Sequence, residues 1–166
     1  MQKVAIIMGS DSDLGVMKAA GEILDEFGIE YCMRILSAHR TPDETTAFAK
    51  AAAGEGFGTI IAGAGGAAHL AGVIASGTTL PVIAVPILGA SLSGLDSLLS
   101  MVQMPSGIPV ACVGVGAARN AGILAAQILS LSNSELREKL KAFKARMAQQ
   151  VMDKDSRLQQ SGWRNY

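Results

Sequence analysis

Two histidines occur in this chain of 166 residues, and one of them lies in a segment whose residue types suit acid–base chemistry. In Ser37-Ala38-His39-Arg40, His39 can exchange a proton near neutral pH, and Arg40 can hold a phosphate through its planar fork of donors. A structural alternative has His39 hydrogen-bonded within its loop and Arg40 paired with Asp43. We favour the functional interpretation, because the segment follows an apolar run where α/β proteins bind ligands. It predicts an enzyme that acts on a phosphorylated small molecule.

A second polar segment, Gly9-Ser10-Asp11-Ser12-Asp13, follows the first apolar run and leads directly into a helix-like stretch. Hydroxyls and free backbone donors at the start of a helix suit an anion. The simpler alternative is that Ser12 or Asp13 caps the helix. We expect the hydroxyl of Ser10 to join that of Ser37 in helping Arg40 to hold a phosphate.

A glycine-rich segment, Gly63–Gly66, follows the third apolar run and precedes Ala67 and His69. Its glycines would let the backbone approach a ligand closely. The segment formally fits the relaxed dinucleotide fingerprint, but it follows the third strand and lacks the later acidic residue, which excludes nicotinamide binding. His69 could equally be a cap-region or core histidine.

Further polar residues follow the fourth apolar run, in Ser91–Ser97 and Gln103–Pro105, and we expect them near the same edge of the sheet. No cysteine, histidine or carboxylate spacing indicates a metal, and no phosphate-binding loop for ATP is present. The sequence therefore predicts an enzyme that uses neither metal nor cofactor.

The elements that must position these residues are five apolar runs, each followed by a helix-like stretch. The runs are Val4–Met8, Ile29–Leu36, Gly58–Ala62, Pro81–Val85 and Pro109–Val113. This alternation predicts a single α/β domain with a parallel sheet covered on both faces.

Helix boundaries have their own signals. Gly28 is expected to end the first helix, and Thr41 and Glu44 to form a capping box at the start of the second. Later helices are predicted over Leu92–Gln103 and about Ala118–Leu131. A last helix over 133–152 has a capping box at Ser132-Asn133-Ser134-Glu135 and one apolar stripe: Leu136, Leu140, Phe143, Met147 and Val151. It could cover its own sheet or pack on a neighbouring subunit.

The composition excludes several classes of protein. Lys plus Arg and Asp plus Glu number 14 each, so no basic excess favours nucleic acid or an anionic membrane. Glycine, serine and proline interrupt every apolar run before the ~20 residues of a membrane span. Cys32 and Cys112 lack paired spacing, and we interpret both as buried thiols in a reducing compartment, the cytoplasm.

Four segments in order closely resemble the PurE family of purine biosynthesis: Gly9–Asp13, Ser37–Pro42, Ala62–His69 and Asp96–Pro105. The resemblance extends from Lys3 to about Leu131. It implies one flavodoxin-like, three-layer, doubly wound domain over 1–166, with a sheet of about five strands and an extra C-terminal helix. It also implies a homo-octamer in which that helix contacts neighbouring subunits.

The resemblance further implies an N5-carboxyaminoimidazole ribonucleotide mutase, which moves a carboxylate from the exocyclic nitrogen to ring carbon 4 through trapped carbon dioxide. His39 would protonate the nitrogen and later take the proton from the carbon. Asp13 would bind the ribose, and His69 would lie near the pocket. The phosphate would be held by Ser10, Ser37 and Arg40, and the backbone of Gly63, Gly65, Gly66 and Ala67 would line the base and carbon dioxide site.

Two other functions stay open. One is an aminoimidazole ribonucleotide carboxylase that takes carbon dioxide directly, although Arg40-Thr41-Pro42 favours the mutase. The other is a non-catalytic sensor of nucleotide phosphates. The chain departs from the family pattern at Ala71, at Leu88-Gly89 in the expected pocket wall, and in a shorter turn after Gly116.

Overall fold

Five parallel strands form one sheet in the computed structural model, which describes residues 2–89 and 91–166. The strands are β1 (Lys3–Met8), β2 (Tyr31–Ile35), β3 (Phe57–Gly65), β4 (Val82–Ile87) and β5 (Ala111–Cys112). Their order is β2-β1-β3-β4-β5, with β2 and β5 at the edges. This order is that of the flavodoxin-like fold, in which the crevice at the switch point lies between β1 and β3. The predicted fold class is confirmed.

In the described ranges, six α-helices connect or follow the strands: α1 (Leu14–Phe27), α2 (Pro42–Ala51), α3 (Leu70–Ser76), α4 (Leu95–Val102), α5 (Ala118–Ser130) and α6 (Ser134–Ser161). Short 3₁₀ turns at Asp11–Asp13 and Leu92–Gly94 precede α1 and α4. Strand β3 runs to Gly65, three residues beyond its predicted end, and α6 ends nine residues later than predicted.

The two faces of the sheet carry two separate apolar clusters, because successive side chains of a strand point to opposite faces. On β1, Val4, Ile6 and Met8 join the cluster with α1, α5 and the start of α6. Ala5 and Ile7 join the cluster with α2, α3 and α4. Helices thus cover both faces, and a strand buried on both sides reads as a continuous apolar run.

Of the predicted helix caps, the structure confirms one and contradicts two. Gly28 ends α1 with a φ of 69°, as expected for a glycine cap. The capping box at Thr41 is wrong: Thr41 is in the cap position of α2, but its side chain makes no capping hydrogen bond. A side-chain cap typically contributes about 1 kcal/mol. The box at Ser132 is also wrong, since α6 is capped by Asn133, whose side chain accepts from Leu136 N.

Helix α6 has two halves with different surroundings. In the first half Leu136, Leu140 and Phe143 are buried against the chain's own core, and the Phe143 ring meets that of Phe27 edge to face at 5.4 Å. Further along the same stripe, Met147 is 42% exposed and Val151 is 66% exposed. The apolar contacts of the helix with its own domain thus lie in its first three turns, and an ion pair between Arg146 and Glu26 follows them.

The structure also bears on two expectations drawn from composition, those for the cysteines and for membrane-spanning segments. Cys32 and Cys112, expected to be buried, are half-buried on the edge strands, and burial raises the pKa of both thiols. Among the described residues, none of the helices combines the length and the apolar character that crossing a bilayer requires.

Candidate functional site

A cavity of about 340 Å³ opens at the carboxyl ends of β1, β2, β3 and β4, at the switch point of the sheet. Its volume lies within the range of small-molecule sites. The lining residues come from the ends of all four strands: Gly9, Ser10, Ser12, Asp13, Ser37, Ala38, His39, Arg40, Ala64, Gly65, Gly66, Ala67, His69, Leu70, Ile87, Leu88 and Gly89. Nine of the ten predicted site residues lie in this lining.

The loop after β2 holds Arg40 through its neighbours. Ser37 Oγ accepts hydrogen bonds from the backbone N of Arg40 at 3.2 Å and from its Nε at 3.3 Å. Nη2 of Arg40 donates to the carbonyl oxygen of Gly9 at 2.8 Å, which joins this loop to the end of β1. The alternative ion pair with Asp43 is wrong: among the described residues, Arg40 forms no salt bridge. The guanidinium is thus fixed in place while its charge remains unpaired.

His39 makes a contact that sequence spacing does not indicate. Its Nε2 lies 2.8 Å from Nδ1 of His69, and the two rings are perpendicular with centroids 5.0 Å apart. Both side chains are exposed to the cavity opening. Within the described part of the chain, Nδ1 of His39 has no hydrogen-bond partner. One ring nitrogen of His39 therefore remains available for a ligand.

The segment after β1 closes on itself through a capping box. Ser10 is the cap of the 3₁₀ turn, and its backbone N donates to Asp13 Oδ2 at 3.0 Å. Of the two expected helix caps, Ser12 and Asp13, it is Asp13 that occupies the cap position of α1, but its side chain makes no capping hydrogen bond there. The hydroxyl of Ser12 donates to Ser10 Oγ at 2.9 Å, and that of Ser10 donates to Asp11 Oδ1 at 3.0 Å. A short chain of hydroxyls therefore lies at the cavity wall.

Asp13 is the buried carboxylate of the site, with 8% of its surface exposed. Burial raises the pKa of Asp13, because the charged form loses its hydration. The amides of Ser10 and Gly9 and the charge of Arg40 act in the opposite direction and only partly offset this effect. Asp13 thus offers a desolvated hydrogen-bonding group next to an exposed cation.

The end of β3 brings glycines to the cavity, with one exception. Gly66 has a φ of 63°, a conformation that favours glycine, and Gly65 leaves room for the carbonyl of Ile87. Gly63, also predicted to line the site, is not part of this lining. Its Cα faces Met17 of α1, where a Cβ would overlap the sulfur atom, so this glycine serves close packing of helix on sheet.

The end of β4 supplies three further lining residues: Ile87, Leu88 and Gly89. Leu88 and Gly89 lie in the pocket wall as the family resemblance implied, whereas Ile87 was not predicted, although its position at the end of the fourth strand could have identified it. Leu88 is 65% exposed and forms an apolar part of the cavity rim. Gln103–Pro105, expected near this edge, lie beyond the end of α4 and outside the lining.

Three further positions named in the sequence analysis, Ser97, Ala71 and Gly116, have structural roles in or near β4. Ser97 is buried and donates to the carbonyls of Ile87 and Gly94, which fixes the start of α4. Ala71 is buried in α3. Gly116 N donates to the carbonyl of Pro86, so the turn before α5 is tied to β4.

These groups together can bind an anion and move a proton. Arg40 supplies a fixed positive charge, the Ser37 hydroxyl supplies a neutral donor, and the Ser10 hydroxyl can supply a second by turning from Asp11 to a ligand. Asp13 can accept from ligand hydroxyls. His39 can give a proton to a ligand or take one from it. The arrangement suits a phosphorylated ligand whose reaction needs a proton given and a proton taken.

Comparisons with known proteins agree with this description. Residues 3–150 match the family model described as AIR carboxylase. The N5-carboxyaminoimidazole ribonucleotide mutase of Thermotoga maritima is 57% identical over 166 residues, which cover all of this chain and 97% of that protein. The phosphoribosylaminoimidazole carboxylase of Schizosaccharomyces pombe is 52% identical over 163 residues, which cover 98% of this chain but 30% of that protein. The crystal structure of Treponema denticola PurE superposes with a TM-score of 0.84 at 35% identity, covering 93% of this chain and 97% of that one.

Proposed function

The chain belongs to the AIR carboxylase family, and from this premise we propose how its own residues carry out its reaction. The activity is that of an N5-carboxyaminoimidazole ribonucleotide mutase in de novo purine biosynthesis. Such an enzyme moves a carboxylate from the exocyclic nitrogen of the imidazole to its carbon 4. The observation that carries this conclusion is the end-to-end match, at 57% identity, to a protein of that name.

The substrate's phosphate is proposed to bind Arg40 together with Ser10 and Ser37. The fixed guanidinium supports this role, because its remaining N–H donors have no partner in the described part of the chain. Asp13, buried beside these groups, would accept hydrogen bonds from the ribose hydroxyls. The base would lie against the backbone of Gly65 to Ala67, where exposed peptide groups line the cavity. Each role pairs a group of the ribonucleotide with the side chain whose chemistry suits it.

His39 is proposed to act first as an acid and then as a base. It gives a proton to the exocyclic nitrogen as the nitrogen–carboxyl bond breaks, which releases carbon dioxide inside the cavity. Carbon 4 then attacks the carbon dioxide, and His39 takes the proton that this carbon loses. The nitrogen has gained one proton and the carbon has lost one, so His39 returns to its starting state. An imidazole can both give and accept a proton through its ring nitrogens, which suits both steps.

A carboxylase that takes carbon dioxide directly from solution would use the same fold and the same histidine. The relative named as a carboxylase is more than three times as long as the part that matches this chain. Relatives named as mutases match along nearly their whole length, which favours internal transfer.

Isotope labelling tests the proposal. Substrate with a labelled carbamate is turned over in unlabelled bicarbonate, and the label is measured in the product. We expect the product to retain the label, since the carbon dioxide is recaptured before it escapes. Product that has lost the label would refute internal transfer.

We also propose that the chain works in the cytoplasm as a homo-oligomer, an octamer as in the family it resembles. The exposed second half of α6 supports this proposal, because Met147 and Val151 continue an apolar stripe that is buried nearer the start of the helix. Sedimentation equilibrium measures the mass of the assembly, and a monomer at micromolar concentration would refute the proposal.

A further inference from the structure

The loop that carries His39 and Arg40 has little support from the rest of the sheet. It follows β2, an edge strand, so only β1 lies beside it. His39 and Arg40 are both exposed. Apart from the bonds to Gly9 and His69, the hydrogen bonds of this loop among the described residues lie within residues 37–45. Its geometry must therefore be set by local contacts.

The hydroxyl of Thr41 makes two of these contacts, both with the backbone of Ser37. Thr41 Oγ1 accepts from Ser37 N at 2.9 Å and donates to Ser37 O at 3.1 Å. The backbone N of Thr41 donates to the same carbonyl at 2.8 Å. One side chain thus closes the loop at both of its ends and satisfies both polar groups of the residue that begins it.

Thr41 is in turn held from the side of α2. The buried Thr45 donates its hydroxyl to Thr41 O at 2.8 Å. Thr41 is also in the cap position of α2, where a threonine hydroxyl commonly accepts from the first turn of the helix, yet it makes no such bond. Its hydroxyl is committed to the loop instead. Local rules are commonly broken where a functional site requires it.

Ser37 transmits this arrangement to the guanidinium. Its backbone is fixed by Thr41, and its Oγ accepts from both the backbone N and the Nε of Arg40. Loss of the Thr41 hydroxyl would release Ser37, and with it the only side chain that orients Nε of Arg40 in the described part of the chain.

We propose that Thr41 is a positioning residue: through its two hydrogen bonds to Ser37 it holds Arg40 and His39 in the geometry the reaction needs. This inference rests on the proposed function for its catalytic consequence, but the loop geometry itself can be measured without turnover. Positioning errors of about 1 Å can lower rates by about 100-fold. A single hydroxyl outside the cavity lining could therefore affect the rate substantially.

The test compares Thr41→Val, which keeps the branched shape and removes both hydrogen bonds, with Thr41→Ser, which keeps the hydroxyl. Thr59→Val is the matched control, since the Thr59 hydroxyl also donates to a backbone carbonyl, that of Pro81, in a buried position far from the cavity. We expect T41V to lower kcat/KM by about 10- to 100-fold and to weaken inhibition by inorganic phosphate. T41S is expected to remain within about threefold of the wild type.

Hydrogen–deuterium exchange provides the second readout and uses the wild-type protein as well. The Ser37 amide should be protected in the wild type and in T41S, and it should exchange faster in T41V but not in T59V. Rapid exchange of this amide in the wild type would overturn the proposal even if T41V failed to fold. Equal losses of kcat/KM in T41V and T59V, or in T41V and T41S, would also overturn it. If the wild type lacked mutase turnover, the proposed function would fail, while exchange and phosphate binding would still test Thr41.

Discussion

The segments after β1 and β2 meet at the same cavity but are stabilised in different ways. After β1, Asp13 is buried and bonded to the backbone that begins the segment. After β2, His39 and Arg40 are exposed, and local hydrogen bonds set their positions. Burial makes a charged carboxylate less favourable, whereas exposure leaves a histidine and an arginine hydrated. We infer that the first segment shapes the site and the second performs its chemistry.

The largest effect is expected from His39→Asn. Loss of general acid–base catalysis should lower kcat by about 10²- to 10⁴-fold, while the affinity for product should change little, because Arg40, the proposed phosphate ligand, is unchanged. A discontinuous assay of product formation measures kcat, and isothermal titration calorimetry measures the affinity for product.

His69→Asn is the matched control for this change. Its hydrogen bond with His39 joins two exposed side chains, and a typical net contribution of 0.5–1.5 kcal/mol limits the loss to about tenfold. Equal losses in the two variants would assign the proton chemistry to the pair instead of His39. Full activity of H39N would contradict the mechanism, and a sensor without chemistry would predict no turnover in any of these proteins.

An intermediate effect is expected from Arg40→Ala. Loss of a charge-assisted contact should weaken substrate binding by about 2 kcal/mol, or roughly 30-fold. Arg40→Lys should fall between alanine and the wild type, since lysine keeps the charge but not the fork of donors.

Arg34→Ala serves as the control for this position, because Arg34 lies on β2, the strand that precedes the loop of Arg40, and outside the cavity lining. Isothermal titration with a ribonucleotide phosphate measures the affinities. An unchanged affinity in R40A would show that Arg40 does not bind the phosphate. The segment after β2 would then no longer differ from the segment after β1 in its role in binding.

The smallest effect is expected from Asp13→Asn and concerns stability. The folded protein holds the proton of Asp13 to a higher pH than the unfolded chain does, because burial raises the pKa above its ordinary value of 3.8. As pH rises past that value, the unfolded state loses its proton first and is favoured. The wild type should therefore lose stability relative to D13N between about pH 3.8 and the higher folded pKa.

Urea denaturation at several pH values measures this difference. Asparagine keeps an oxygen acceptor for the Ser10 amide, so the comparison isolates the charge. A difference between the proteins that is constant with pH would show that Asp13 does not titrate differently on folding. The burial of Asp13, which distinguishes the segment after β1 from the exposed segment after β2, would then have no effect on how stability depends on pH.

The sequence allowed the position of the site to be predicted, because polar residues after consecutive buried strands meet at one edge of a parallel sheet. That argument brought together Ser10, Asp13 and Arg40 from runs separated by nearly thirty residues. It also predicted the fold class, since five apolar runs alternate with helices.

Other contacts depend on tertiary packing and could not be predicted in the same way. The Cα of Gly63 faces Met17 because α1 packs on that face of β3, and the sequence pattern does not specify which face the helix covers. Hydroxyl groups have several possible partners nearby, and Thr41 bonds to Ser37 instead of capping its helix. The contact of His39 with His69 joins two different loops. Local patterns carry no information on such choices.

The order of the strands also determines the oxidation chemistry available to the chain. Cys32 is on one edge strand and Cys112 on the other, so four strand spacings, or about 19 Å, separate them. A disulfide requires Cα atoms within about 7 Å, so the two thiols cannot join within one folded chain. Oxidative cross-linking of the native protein would therefore have to link separate molecules, edge strand to edge strand.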